Sequence, residues 1–549
     1  MLKIFKKKNN NIENNIDIDK KINKYRSNKK DRLIVSKQYS VPIDSKNTNV
    51  CLVGAAGSGK TYNFVLPNLM QANSSYLVAD RFTDMYKKTA PYLESNGYEV
   101  NLLDLSFADK TDNTNYKCDK YNPFEYLYSV GDIETLANVI VRNTGCKKAI
   151  PEYKELAASS LLALIMSFVR FYLPKEDQNF QTVLKLLTEG KESGYIKDIE
   201  SLNIADTGIV NPDEDIKNYT FYKNKSFKTA VGKNRKAIYS SCLDRLQIFK
   251  NPPVAEITSE DTLELDKLGD RKTALFVNLF ERTSGLDLIV AMLYSQAMDV
   301  LANYAETTAE FSQLVIDGNG NVIKTFRAEN NENAELANKK ASWFLYKCKS
   351  AVIVENSELN RFEAKTKEDE LVLFRKNQKD AITALDNLNK HGKVIANKDK
   401  NCGGTKLPIP VRMFTKEFYR IGIIPKILLN MHRFVGRNLS IVLSIHDIDV
   451  LEDKYKYEYK EIIDCCSILI AIGGVSPEGQ KVFYNIAKKE KDAGAVSLYD
   501  LKKDSIHQIY YDQCYGIIRG GLIFLDNKSN PKEHSAYCSV HELANLDDF

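Results

Sequence analysis

Eight residues, Gly54-Ala55-Ala56-Gly57-Ser58-Gly59-Lys60-Thr61, restrict the fold of this chain more than any other feature. They fit G-x-x-x-x-G-K-[ST] at every fixed position. Such a loop belongs between a buried strand and a helix. Its glycines let the backbone wrap around an anion with the N–H groups pointing inward, and the helix that follows aims its positive end at the same place. The apolar run "NVCLVG" (49–54) leads into the loop and a helical stretch follows it, which is the required setting. Lys60 supplies a point charge for the β and γ phosphates of a nucleotide, and the Thr61 hydroxyl is a ligand for Mg²⁺. The plainer alternative is a loop that keeps this shape and holds nothing.

A strand–loop–helix of this kind needs a sheet to belong to, and the chain supplies one. Near-continuous apolar runs bounded by helical stretches are the pattern of buried parallel strands. They recur as "SSYLVAD" (74–80), "YEVNLLDL" (98–105), "KTALFVNLF" (272–280), "PVRMFTKEF" (410–418), "LSIVLSIHD" (439–447) and "SILIAIGG" (467–474). The expected class is α/β.

The spacing of the runs predicts a split domain. Residues 1–47 form a leader rich in Lys and Asn, either disordered or lying as a basic segment against anionic lipid. The nucleotide-binding domain occupies 48–147, 263–305 and 405–549. An all-α domain is inserted at 148–262, where "YKELAASSLLALIMSFVRFYL", "FQTVLKLLTEG" and "AVGKNRKAIYSSCLDRLQIF" read as helices. A second insertion, 306–404, reads as a small α+β module. It starts with a hairpin at Gly318-Asn319-Gly320, followed by a helix carrying "ASWFLYKCK", a strand pair and the helix "QKDAITALDNLNKHGK".

Composition narrows the rest. The 549 residues are 43% hydrophobic and 27% charged, as in ordinary globular proteins. A net charge of +5, from 77 basic and 72 acidic residues, is too small to argue for a nucleic-acid partner by itself. Ten cysteines without metal-type spacing read as reduced thiols. The most apolar segment, 156–173, is interrupted by Arg170 and reads as a buried helix of a globular domain, not a membrane span.

Beyond the loop, an ordered set of motifs resembles one family, the coupling proteins of type IV secretion systems, which are conjugative DNA-transfer ATPases. Pro67-Asn68-Leu69 lies on the helix after the loop, and Tyr121-Asn122-Pro123 follows the third strand. "LGDRKTALFVNLFERTSGLDLIVAMLYSQAMDVL" (268–301) resembles the strand and helix that resume the motor. "KEFYRIGIIPKI" (416–427) resembles the second acidic strand with its Ile-Gly-x-Ile-Pro tail, and "CCSILIAIGGVSPEG" the later strand and Gly-Gly turn. The resemblance runs from about 48 to the C-terminus.

It implies a RecA-like P-loop motor that binds ATP and Mg²⁺ through Gly54, Gly57, Ser58, Gly59, Lys60 and Thr61. It also implies a hexameric ring at the cytoplasmic face of the cell membrane. The implied partners are a relaxase or relaxosome with its single-stranded DNA, and the secretion-channel proteins of the inner membrane. The all-α insertion would be the docking surface for relaxase or substrate. No base-reading motif is visible, so DNA would be held by backbone and stacked bases. Transmembrane helices usually precede the motor in this family, and none is visible in this sequence.

The departures fall at the catalytic centre. In the family an Asp-Glu pair ends the second acidic strand. Here the Asp position is Lys416, and Glu417 remains as the candidate water-polarising base. Its alternative is a salt bridge to Lys416 or Lys60. His446 stands where the family has a phosphate-sensing Gln; its alternative is a polar strand end. Of an arginine pair, Arg437 is kept and Val435 takes the other place. The family's Asp-Pro-Lys-Gly turn is Asp80-Arg81-Phe82-Thr83, and Phe280 replaces a common Pro. Asp80 is a candidate replacement for the lost metal carboxylate. These departures set two readings against each other: a working transfer ATPase, and a hydrolysis-deficient paralogue that serves as a nucleotide-binding scaffold or ring subunit. A DNA-binding adaptor with no nucleotide role is disfavoured by Lys60 and Thr61.

Overall fold

The computed structural model describes residues 19–26, 31–106, 118–145, 153–201, 214–231, 234–279, 285–397, 405–499 and 512–544. Phe280 and residues 1–18 of the leader lie outside these.

The chain enters through a short hairpin, β1 (Arg32–Ile34) and β2 (Ser40–Pro42), then runs into β3 (Val50–Val53) and the glycine loop. A π turn, Thr61–Val65, continues as α1 (Leu66–Met70). β4 (Ser75–Arg81), α2 (Asp84–Ser95) and β5 (Glu99–Asp104) follow. Helix α3 (Val130–Thr144) precedes the predicted insertion, and helices α4 (Tyr153–Tyr172), α5 (Phe180–Ser193), α6 (Glu214–Val231) and α7 (Arg235–Arg245) fall within it. β6 (Thr273–Leu279) and the buried helix α8 (Leu286–Thr307) return to the sheet.

The α+β module holds β7 (Gln313–Ile316), β8 (Val322–Phe326), α9 (Asn331–Cys348), β9 (Val352–Asn356), β10 (Arg361–Lys365), β11 (Leu371–Arg375), α10 (Gln378–His391) and β12 (Lys393–Ala396). β13 (Val411–Thr415), β14 (Leu439–Ile445), β15 (Ile468–Ile472), β16 (Val496–Ser497), β17 (Gln513–Ile518) and β18 (Leu522–Asn527) complete the main sheet.

That sheet has ten strands in the order β16-β18-β17-β15-β3-β14-β13-β4-β6-β5. From β15 to β5 every pairing is parallel. Both faces are covered, so these strands are mainly apolar: β3, β13, β14 and β15 are buried at every residue, Arg412 of β13 and Ser440 and Ser444 of β14 included. All seven apolar runs picked out in the sequence are strands of this one sheet. The hairpin around Gly318-Asn319-Gly320 forms as β7–β8, its turn tied by Asp317 Oδ1, which accepts from Asn319 N at 2.8 Å and Asn321 N at 2.9 Å.

The N-terminal segment departs from expectation. Residues 19–26 and 31–47 do not form a detached leader. Ile22, Tyr25, Leu33, Val35, Tyr39 and Val41 are buried in the same core as Val50, Leu66 and Phe524. The motif asparagine explains part of this. Buried Asn68 accepts from Ile34 N at 2.9 Å and donates to Ile34 O at 2.9 Å, pairing with the β1 backbone as a neighbouring strand would. Pro67-Asn68-Leu69 therefore fastens the entering chain to the helix behind the glycine loop.

Asn122 has the parallel role on the other side. It accepts from Phe124 N at 3.1 Å and donates to Gln178 O at 2.9 Å and Ser259 O at 3.2 Å, joining motor and helical insertion. Among the described residues one helix, Tyr153–Tyr172, is long and apolar enough to cross a membrane by length and composition. Leu161, Leu162, Ile165, Met166 and Val169 of that helix are buried in the main core, as expected of a globular helix.

Candidate functional site

In a parallel sheet the carboxyl ends of the strands share one rim, and ligands bind there. β3, β14, β13 and β4 deliver the glycine loop, His446, Lys416-Glu417 and Asp80 to this rim, in that order across the sheet.

The loop has a cradle's geometry. Gly57 (φ 73°) and Gly59 (φ 89°) are in the left-handed region that favours glycine. At Gly54 the constraint is space. A Cβ there would lie 2.4 Å from the Ile472 carbonyl oxygen and 2.6 Å from Ser58 Oγ. Lys60 turns back over the loop, its Nζ donating to Gly54 O and, at 3.0 Å, to Ala55 O. Burial pushes its pKa down to about 8, with Glu417 acting the other way. Ser58 Oγ is buried and has no hydrogen-bond partner. A loop that spends its glycines on this curvature, with a desolvated ammonium and an orphaned hydroxyl in it, fits a phosphate. Thr61 follows as the first residue of the π turn.

The opposing strand end is cationic. Lys416 Nζ lies 3.7 Å from Asp80 Oδ1 on the next strand. Asp80 is 0% exposed and has further duties: it accepts from Arg81 N at 2.7 Å and Tyr86 N at 3.0 Å, tying the turn into α2. Burial pushes its carboxyl upward, against those hydrogen bonds and Lys416. Asp80 thus serves the turn and the lysine and does not stand ready as a metal carboxylate. Glu417 adopts φ 53° at the end of the strand. It pairs with Arg420 Nε at 2.9 Å and Arg81 Nη1 at 3.4 Å. Among the described residues no group of three or more His, Cys, Asp and Glu side chains is placed to hold a metal.

His446 directly follows β14. Burial, then Lys60 and Arg420, hold its pKa below the usual value while Glu417 opposes them, so the ring is neutral at pH 7. Lys60, Glu417 and His446 are thereby one electrostatic group. Arg437 is elsewhere. It precedes β14, at the opposite end of a strand about 20 Å long, where it pairs with Glu306 at 3.3 Å and donates to Arg433 O at 2.7 Å. Within one chain it does not reach the loop. The turn after β4 is strained: Phe82 (φ 60°) and Thr83 (φ 56°) are left-handed without being glycine.

Three contacts at the loop escape sequence reasoning. Lys528, just past β18, donates from Nζ to Ser58 O at 2.6 Å. Asn63 Nδ2 donates to Ser529 O at 2.9 Å. Gly473, of the Gly-Gly turn, places its Cβ position 3.6 Å from Ser58 Cβ. The C-terminal hairpin thus braces the cradle from hundreds of residues away, and no local pattern marks Lys528.

Residues 7–316, more than half of the chain, match the family model described as type IV secretory system conjugative DNA transfer. The chain belongs to that family. No curated protein sequence matches it. Among solved structures it is similar to the bacterial conjugative coupling protein TrwBdeltaN70 in an unbound form, with TM-score 0.52 and 11% identity over 93% of this chain and 90% of that one. It is similar to the plasmid coupling protein TrwB in complex with ADP and Mg²⁺, with TM-score 0.53 and 11% identity over 93% and 92%. The complex of TrwB with the ATP analogue ADPNP gives TM-score 0.51 at 11% identity over 93% and 91%. At this identity the likeness establishes the fold: a RecA-like P-loop motor carrying an all-α domain.

Proposed function

We propose that this member of the conjugative DNA-transfer family binds ATP in the 54–61 cradle. Its task would be to help deliver relaxase-bound single-stranded DNA, or protein, to the secretion channel, as part of a hexameric ring at the cytoplasmic face of the membrane. The carrying observation is the cradle itself, with Gly57 and Gly59 left-handed and Lys60 desolvated over it. Lys60 would exchange the Gly54 and Ala55 carbonyls for phosphate oxygens. Loop N–H groups and Ser58 Oγ would take the remainder, and Thr61 would hold Mg²⁺. Mg²⁺ would supply positive charge against the phosphate oxygens. Neutral His446 is able to donate one hydrogen bond to the same group. Arg437 would act only on a neighbouring copy's nucleotide. The all-α insertion remains the candidate docking surface for relaxase.

A second reading is favoured by a specific observation: Lys416 is paired with Asp80, and Glu417 with Arg420 and Arg81. A site so committed holds nucleotide and turns it over poorly. In this reading the chain is a nucleotide-held scaffold, or a ring subunit beside an active motor.

Titration with a fluorescent ATP analogue tests the cradle. Lys60→Ala should weaken binding about 30-fold, the loss of one strong charge-assisted interaction. Unchanged affinity would remove the cradle from the account. Lys528→Met should weaken it about tenfold by freeing the Ser58 carbonyl from its brace.

Binding should also depend on pH. A bound phosphate favours the Lys60 ammonium, whose pKa in the ligand-free protein is about 8. Affinity is then level below pH 8 and falls by about tenfold per pH unit above it, as binding must draw in a proton. Calorimetry at pH 9 in buffers of different ionisation enthalpy should register that proton. Zero uptake would show that Lys60 does not meet the ligand.

A further inference from the structure

The only tryptophan of the chain, Trp343, stands in solvent at 59% exposure on α9. Tyr346 beside it is 62% exposed, and the two rings stack with centroids 5.4 Å apart at 20°. The packed face of this helix is elsewhere: Ala337, Ala341, Phe344 and Cys348 are the residues it buries. The aromatic pair therefore occupies the face on which a surface helix ordinarily carries charge. Large exposed aromatics stacked on one another mark an interaction site.

What surrounds the pair indicates its partner. Lys339 lies one turn before Trp343 and Lys349 one turn after Tyr346, so all four share a face, and both lysines are exposed. Lys340, Ser342 and Ser350, also exposed, fill in around them. Hydroxyls and ammonium groups border the rings, and Leu336, 52% exposed and seven residues before Trp343, continues the face toward the start of the helix. Flat π faces between cations suit a chain of bases joined by phosphates.

We propose that the Lys339–Trp343–Tyr346–Lys349 stripe of the α+β module is a stacking platform for single-stranded nucleic acid. Trp343 and Tyr346 receive bases without regard to sequence, and Lys339 and Lys349 meet the flanking phosphates. This rests on the reading above only in taking single-stranded DNA as a partner. It adds where the strand is held.

A sole tryptophan in the site makes the test direct. The full-length protein is titrated with an oligo(dT) twenty-mer while Trp343 emission is followed. Saturable quenching that weakens with added salt is expected. In anisotropy with labelled oligo(dT), Trp343→Ala/Tyr346→Ala should lose roughly tenfold or more in affinity. Lys339→Gln/Lys349→Gln should reduce the slope of log affinity against log salt by about 1.4, two phosphate contacts on a single strand. All four side chains are exposed, so nucleotide binding and thermal midpoint should stay unchanged. Oligo(dT) that binds equally well to the aromatic double variant and leaves Trp343 emission untouched would overturn the platform while leaving DNA as a partner. Absence of any oligo(dT) binding would overturn both. Emission that responds only to protein concentration would assign the stripe to contact between copies and overturn it as well.

Discussion

Lys416→Asp should raise ATP turnover by about three orders of magnitude over the wild-type protein. A unit charge about 4 Å away, at an effective dielectric of about 20, is worth roughly 4 kcal/mol. Reversing its sign beside a metal–phosphate group changes the transition state by at least that much, and 1.36 kcal/mol is a factor of ten. Part of the gain is offset. Asp80 loses the ammonium 3.7 Å from its carboxylate and gains a like charge, while keeping the backbone N–H groups of Arg81, Met85 and Tyr86. Lys416→Met, which removes the charge without adding a carboxylate, should fall between wild type and Lys416→Asp. Steady-state phosphate release from the three proteins, each as its Lys60→Ala control as well, measures this. Equal rates for all three would show that the strand end is not what limits hydrolysis.

Gly516→Val should destabilise the protein by about 3 kcal/mol. Gly516 on β17 pairs with Phe524 on β18, and the phenyl ring folds over the glycine. A Cβ at 516 would lie 2.1 Å from Phe524 Cζ. The ring is also packed on Tyr39, with centroids 4.7 Å apart, so moving it disturbs that contact. The valine would therefore displace both the hairpin and the N-terminal segment. Since Lys528 and Ser529 follow directly from that hairpin, nucleotide affinity should fall with stability. Urea unfolding followed by circular dichroism reads the first effect, and a fluorescent nucleotide the second. A midpoint equal to wild type would mean that the Phe524 side chain has room that this packing does not give it.

What could be read from the sequence divides along physical lines. The seven buried strands were legible because a parallel sheet covered on both faces is mainly apolar, and each run is flanked by helical pattern. The loop was legible because its glycines are dictated by backbone conformation and close approach. Lys416 was visible as a misplaced cation because neighbouring residues fixed its alignment. The N-terminal segment was misread. Its Lys- and Asn-rich start masks the few apolar residues that matter, and Asn68 holds it through a side-chain amide that mimics a strand. The pairing of Glu417 with Arg81 had no local signal, since Arg81 sits on a different strand, 336 residues away in sequence. Lys528 carries no local signal; only the fold brings the two ends of the chain to one loop. Arg437 was grouped with the site by motif order, whereas strand direction places it at the far rim.

The central claim of the second reading is that an intact phosphate cradle beside the Lys416–Asp80 pair holds nucleotide and turns little of it over. Single-turnover ATP hydrolysis by the wild-type protein, with binding measured in the same samples, tests this most directly. The account predicts saturable ATP binding that requires Lys60, with the bound nucleotide recovered as ATP after many minutes. Rapid conversion to ADP in wild type, abolished in Lys60→Ala, would contradict it and show that Lys416 and the paired carboxylates leave a working motor.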